Sequence, residues 1–341
     1  MYLGMSPFEA PATYNLLQYA ELVQGIYYPI GGFHKIPESF EAIAKKHGAK
    51  VVYEAPVARI LLSGNRATGV RLESGEEIYA DITICNADAV WAYNHLLPPT
   101  TFAKNLEKKN LTSSSISFYW CVDRVIEELD VHNIFLADRY RESFDEIFKN
   151  HDLPRDLSFY VNVPSRIDPS AAPKGKDAIV VLVPVGYITD QDWDCLVARA
   201  RKAVLIRLAI HLGYDIERFI VEEDVSDPRR WRADFNLHAG SILGLSHEIS
   251  QVLFFRPNTK SRQFQDLYFV GASVQPGTGV PIVISGAKIV SEEILRNLKM
   301  HIPWKKQEEQ SMNFATIFAI IAALWSWALN LFTRKPKAKK L

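Results

Sequence analysis

Several signatures that assign a function quickly are missing from this sequence. No G-x-G-x-x-G occurs among its 17 glycines. Only Gly277 and Gly279 stand two apart, and Ile282 occupies the place of the third glycine. The chain therefore carries no strand–glycine loop–helix unit of its own for a dinucleotide pyrophosphate. Cysteine is scarce: Cys85, Cys121 and Cys195 lie far apart and are odd in number. That excludes a disulfide framework and a metal-ligand spacing, suits a reducing compartment, and leaves each thiol expected as buried and inert. An excess of either charge is also lacking, since Lys+Arg and Asp+Glu both total 39. No global basic field invites nucleic acid. His238 and His247 fit neither H-x3-H nor H-E-x-x-H, which excludes a zinc site, and no G-x-S-x-G announces a hydrolase nucleophile. Residues 1–30 hold Glu9 and Glu21 but no lysine or arginine, so the basic start of a secretory signal is absent.

What is present suits a globular chain with some membrane character: 48% apolar and 23% charged residues over 341 positions, room for two domains with cores. The stretch 266–298 organises the rest. Residues 267–270 form a short apolar run that reads as a buried strand. Gly271, Pro276, Gly277, Gly279 and Pro281 follow as a bent, nearly bare loop, and Val283, Ala287, Val290, Ile294 and Leu298 then mark a helical stripe. Pro281 suits the first helical position. Loop N–H groups and the positive helix end would converge on one point, as in an anion or cofactor site; a plain connecting turn satisfies the same pattern.

Along the chain, Tyr14, Leu16, Leu17, Tyr19, Leu22, Val23 and Ile26 recur at near-helical spacing. A Y-P-x-G-G turn at 28–32 precedes a helix through Ile36, Phe40, Ile43 and Ala44 that stops near Gly48. Strands are expected at 51–53, 56–62, 67–72 and 78–85, the last ending on Asn86, Ala87 and Asp88. Further strands are expected at 112–121, 159–164, 178–185 and 220–225, with a strong helix at Trp193–Leu212, together forming a mixed sheet with helices. Asp224, Asp227, Arg229, Arg230 and Arg232 read as a solvated charged loop. Trp120, Trp231, Phe235, Phe254 and Phe255 could line an apolar tunnel or simply fill a core. Residues 312–332 carry no charge and are long enough to cross about 30 Å of hydrocarbon; Arg334, Lys335, Lys337, Lys339 and Lys340 follow. The expectation is a C-terminal transmembrane helix with a cytosolic basic tail at 333–341.

The segment V-G-A-S-V-Q-P-G-T-G-V-P-I-V-I-S-G-A-K resembles the C-terminal signature of flavin-dependent phytoene desaturases, with Gln275 where that family usually has histidine. S-S-S-I-S-F-Y-W at 113–120, F-Y-V-N-V-P-S-R-x-D-P at 159–169 and V-V-L-V-P-V-G at 180–186 resemble the fungal members. The resemblance covers the chain up to Leu298 but only the later part of a full family member. It implies an α/β (α+β mixed), amine-oxidase-like FAD-dependent fold, with an incomplete FAD-binding domain, a mixed-sheet substrate domain and the C-terminal anchor. The expected organisation is a helical lid segment at 1–27, FAD-binding segments at 28–97 and 263–300, a polyene domain at 98–262, the anchor at 312–332 and the tail.

Cofactor contacts are implied for Val57, Ala87, Asp88, Gly271, Ala272, Pro276, Gly277, Thr278, Gly279, Val280 and Pro281. From its spacing alone, Val57 reads as an ordinary core strand residue. No catalytic residue and no metal are assigned. The implied activity is desaturation of phytoene toward lycopene-like carotenoids, with FAD as cofactor, because side chains offer no electron sink for an unactivated C–C bond. The implied partners are phytoene and other C40 carotenoids, a lipid endomembrane such as the endoplasmic reticulum, and other carotenoid-biosynthesis enzymes or a second copy of the chain. A flavin-dependent carotenoid isomerase or saturase, or a membrane-tethered remnant without flavin, would share the pattern. Without a G-x-G-x-x-G unit the chain is expected to be a fragment or truncated form, inactive alone.

Overall fold

The structure, a computed structural model, describes residues 3–305. The chain divides into two units, Met1–Ala287 and Lys288–Leu341, with the border inside one helix. The first unit holds ten strands among its described residues: β1 (Val57–Ser63), β2 (Arg66–Leu72), β3 (Glu77–Tyr79), β4 (Thr83–Cys85), β5 (Ser114–Val122), β6 (His132–Phe135), β7 (Phe159–Asn162), β8 (Asp177–Val185), β9 (Ile220–Ser226) and β10 (Leu267–Phe269). The helices are α1 (Leu16–Tyr19), α2 (Lys35–Lys46), α3 (Ala89–His95), α4 (Thr101–Glu107), α5 (Tyr140–Phe148), α6 (Trp193–Leu212), α7 (Pro228–Phe235) and α8 (Val280–Asn297).

The larger sheet has the order β6-β7-β8-β5-β9. Every pairing in it is antiparallel, which corrects the expected mixed sheet. The reason lies in the side-chain period. Ile116, Phe118, Trp120 and Val122 of β5 and Ile179, Val181, Val183 and Val185 of β8 fall on one face and pack with Trp193, Leu196, Ala200, Val204 and Leu208 of α6. A sheet that buries one face under a single helix has no need of parallel crossovers. Asp192 caps α6 by accepting from Cys195 N at 3.1 Å, and Gly213 ends it in the left-handed region. Trp120 is thus core, whereas Phe235, Phe254 and Phe255 are exposed.

A second core gathers Ile60, Ala67, Cys85, Ala89, Tyr93, Leu106, Leu267, Phe269 and Val274 from segments far apart in sequence. β1, β2 and β3 form an antiparallel ribbon, while β10 pairs parallel with β4, Leu267 facing Thr83 and Phe269 facing Cys85. The single strand expected at 78–85 therefore divides between two sheets at a turn around Asp81. Residues 51–53 form no strand; they are exposed and run into Glu54, whose φ is +52°. The near-helical pattern after Tyr14 breaks into a short 3-10 turn, α1 and a π turn, with Leu22, Val23 and Ile26 exposed.

Two further expectations need correction. Cys85 is buried, but Cys121 and Cys195 are exposed, because they sit on the outer faces of β5 and α6. The expected C-terminal transmembrane helix is not supported: no helix among the described residues is long and apolar enough to cross a membrane, and residues 312–332 lie outside the described residues. In the second unit, Trp304 Nε1 donates to Glu292 Oε1 at 2.8 Å, and Arg296 pairs with the same carboxylate.

Candidate functional site

The parallel pair β4–β10 creates the site. Both strands point their carboxyl ends the same way, so the turn Asn86–Ala87–Asp88 and the loop from Val270 to Gly279 emerge side by side. Crevices beyond the carboxyl ends of parallel strands are where such sheets bind ligands. Side chains stitch the two segments together. Ser273 Oγ accepts from the buried Ala89 N–H at 2.8 Å, and Asp88 Oδ1 accepts from Trp91 N at 2.9 Å as the cap of α3. A Cβ on Gly271 would lie 2.7 Å from Asn86 Oδ1, and one on Gly244 would lie 3.3 Å from Asp88 Oδ2. The backbone must come this close, and Gly271 at φ +109° allows it.

The loop itself is a glycine cradle. Gly277 and Gly279 have φ of +127° and +111°, and Gly277 is buried. Among the described residues, the N–H groups of Gly277, Thr278, Gly279 and Val280 meet no protein acceptor. These donors stand at the start of α8, where the helix dipole favours negative charge. Gln275 is tied down instead: its N–H donates to Pro257 O at 2.9 Å and its Nε2 to Val252 O at 3.0 Å.

The residues expected at the cofactor do not all meet. Ala87, Asp88, Gly271 and Ala272 are adjacent through the stitches above, and Pro276 to Pro281 continue the same loop into α8. Val57, half-buried at the start of β1, lines a cleft of about 420 Å³ that reaches the site's turn through Asn86 and Ala87 and also includes Ala58 and Cys85. The carboxylate of Asp88 is spent on α3. Burial pushes its pKa up, against the opposing pull of the Trp91 N–H, His238 and Arg256. The cluster around Asp227 is likewise structural: Asp227 caps α7 and pairs with Arg229, while Arg230 pairs with Asp224 and Asp234 on the surface.

Sequence reasoning passed over Arg256, Ser273 and Gly244. Arg256 is 2% exposed and donates to the carbonyls of Leu245, Ser246, Ala272 and Val274. Its one visible signal is an arginine closing the apolar run V-L-F-F before Pro257. Burial pushes its pKa down to about 10, with Tyr14 and Asp88 pulling the other way. Burial also pushes His247 down to about 4, assisted by the Arg256 charge. Among the described residues no group of His, Cys, Asp and Glu could hold a metal ion.

Orphaned backbone donors, a bare glycine loop and a buried cation behind it, at the carboxyl ends of two parallel strands, form a cradle suited to an anionic or polar cofactor group. The chain belongs to the flavin-containing amine oxidoreductase family, which residues 2–295 match. It is 49% identical to a phytoene desaturase of Phycomyces blakesleeanus over 99% of this chain and 62% of that protein. It is 47% identical to the phytoene desaturase of Fusarium fujikuroi over 91% of this chain and 59% of that one. The chain thus spans about three-fifths of the length of these relatives. Among solved structures, an oxidoreductase from Methanosarcina mazei shares the fold at a TM-score of 0.61 and 17% identity, covering 85% of this chain and 61% of that one. The cofactor of the family is a flavin, here FAD. The N–H donors of Gly277 to Val280 suit the polar atoms of such a group, and Gly277 and Gly279 carry no side chain there. No G-x-G-x-x-G pyrophosphate loop occurs in the 341 residues.

Proposed function

We propose that this chain is the ring-side and substrate-side part of an FAD-dependent phytoene desaturase, an oxidoreductase acting on CH–CH bonds that converts phytoene toward lycopene-like carotenoids. The observation that carries the reading is the loop Gly271–Pro281 with its unpaired N–H groups, stitched to Asn86–Asp88, in a chain 49% identical to a phytoene desaturase. Residues 28–97 and 263–300 would hold the cofactor, and residues 98–262 the polyene. Val57, Ala87, Gly271, Ala272 and Gly277 to Pro281 would face FAD through backbone and small side chains, with Asp88 and Pro276 shaping the turns. When bound, FAD supplies the electron sink that takes the two electrons removed with two hydrogens from adjacent carbons.

This chain's residues do the rest. The N–H groups of Gly277, Thr278, Gly279 and Val280, at the positive end of α8, favour the negative charge that reduction brings. The apolar walls of both cores exclude water from a hydrocarbon substrate. Such a substrate resides in lipid, so the enzyme works at a membrane, beside other carotenoid enzymes or a second copy of itself. A carotenoid isomerase or saturase on the same scaffold would share every feature named.

Product analysis separates these readings. In a host that accumulates phytoene, a chimera in which this chain replaces the matching three-fifths of the Phycomyces relative is expected to yield coloured, newly conjugated polyenes. A flavin-loaded chimera that leaves phytoene unconjugated would count against desaturation.

A further inference from the structure

We propose that Arg256 is a positioning residue that fixes the loop from Gly271 to Gly277, and that this loop is presented to the flavin only while the guanidinium fork is in place. The role at the cofactor rests on the function proposed above. The geometry rests on the structure alone.

Arg256 reaches across two segments. Its Nη1 donates to Leu245 O and Ser246 O, both at 3.3 Å; its Nη2 donates to Ala272 O at 2.6 Å and its Nε to Val274 O at 3.2 Å. Four carbonyls are thus gathered on one planar group. The loop then folds over that plane: a Cβ on Gly277 would lie 3.9 Å from Nε and Cζ. Because a trans peptide sets its N–H opposite its C=O, drawing the Ala272 carbonyl inward turns the Ser273 N–H outward. Drawing in the Val274 carbonyl likewise sets the Gln275 N–H, which reaches Pro257 O at 2.9 Å.

Among the described residues no carboxylate lies within ion-pair distance of Arg256. The titratable groups that face it are Tyr14, Asp88 and His247, and Asp88 spends its oxygen on α3. A buried cation kept without a counter-carboxylate is costly unless its donors are used, and here main-chain carbonyls take four of the five. A residue needed only for volume would be apolar. Lysine carries one nitrogen with three donors and cannot span four carbonyls in a plane.

The test uses the full 341-residue chain, with amide hydrogen exchange followed by peptide and a separate titration with riboflavin. In Arg256→Lys, which keeps the charge, and Arg256→Met, which keeps the bulk, the loop amides that reach a protein acceptor, Val270, Val274 and Gln275, should exchange at least about tenfold faster, while those of β5 and β8 stay as protected as before. Unchanged exchange in the loop of Arg256→Lys would overturn the proposal, since charge alone would then suffice. An equal rise in loop and sheet would also overturn it, by making Arg256 a general support of the core. Riboflavin keeps the two readings apart. If the native chain binds no flavin yet the loop still responds to Arg256→Lys, the positioning stands and the functional reading fails. If flavin binds the native chain and both variants equally, the positioning at the cofactor fails and the functional reading stands.

Discussion

His247 shows how far one buried side chain can be pushed by its surroundings. Its Nδ1 donates to Leu3 O at 3.0 Å, its Nε2 is buried with no partner, and Tyr14 packs edge-on against the ring at 5.9 Å. Burial first, and the Arg256 charge second, lower its pKa from 6.5 to about 4. The unfolded chain therefore takes up a proton as the pH falls through 6.5 that the folded chain refuses until about pH 4. Its contribution to stability is complete above pH 6.5 and is lost across that window, by about 3 kcal/mol in all. Urea unfolding at a series of pH values should show a steeper slope between pH 4 and 6.5 for the native chain than for His247→Gln. Equal slopes would mean that the imidazole is solvated. At this scale the sequence was a partial guide. Gly271, Gly277 and Gly279 stood out because bare loops leave a mark in composition. Ser273 and Arg256 did not, because a long-range side-chain hydrogen bond has no local signature.

Strands and helices were legible wherever one periodicity ran unbroken. β5, β8 and α6 could be placed because alternate residues, or residues three and four apart, meet one core. The segment 78–85 misled because a mostly apolar run, broken only by Asp81 and Thr83, says nothing about which sheet each half joins. Its first half, β3, is held by a very close approach to β2. Gly69 sits at φ +145°, and a Cβ there would lie 2.0 Å from Ile78 O and 2.8 Å from Tyr79 Cα, both backbone atoms. No side-chain rotation relieves that overlap. Gly69→Ala should therefore cost about 3 kcal/mol and lower the denaturation midpoint, while Gly75→Ala, in open space, should lose only what its positive φ demands, about 1 kcal/mol. Equal losses in the two variants would contradict the register of β2 against β3. The antiparallel order of the larger sheet was also hidden, because pairing direction depends on connections and not on pattern.

For the molecule as a whole, the resemblance in 266–298 carried the family correctly, and membership now stands on residues 2–295. The missing G-x-G-x-x-G was equally legible, and under the proposed function it divides the cofactor in two: the loop donors would serve the ring side, and no glycine loop serves the pyrophosphate. That division is the central claim, and a visible-absorption titration of the 341-residue chain tests it directly, with FAD and riboflavin as parallel ligands and Gly277→Val as the control. Both ligands should perturb the flavin band saturably and with affinities within about threefold of each other, and the variant should abolish the change. FAD binding far tighter than riboflavin would place a pyrophosphate site within these residues. No change with either ligand, or the same change in Gly277→Val, would show that the loop from Gly271 to Pro281 is not where the flavin ring sits.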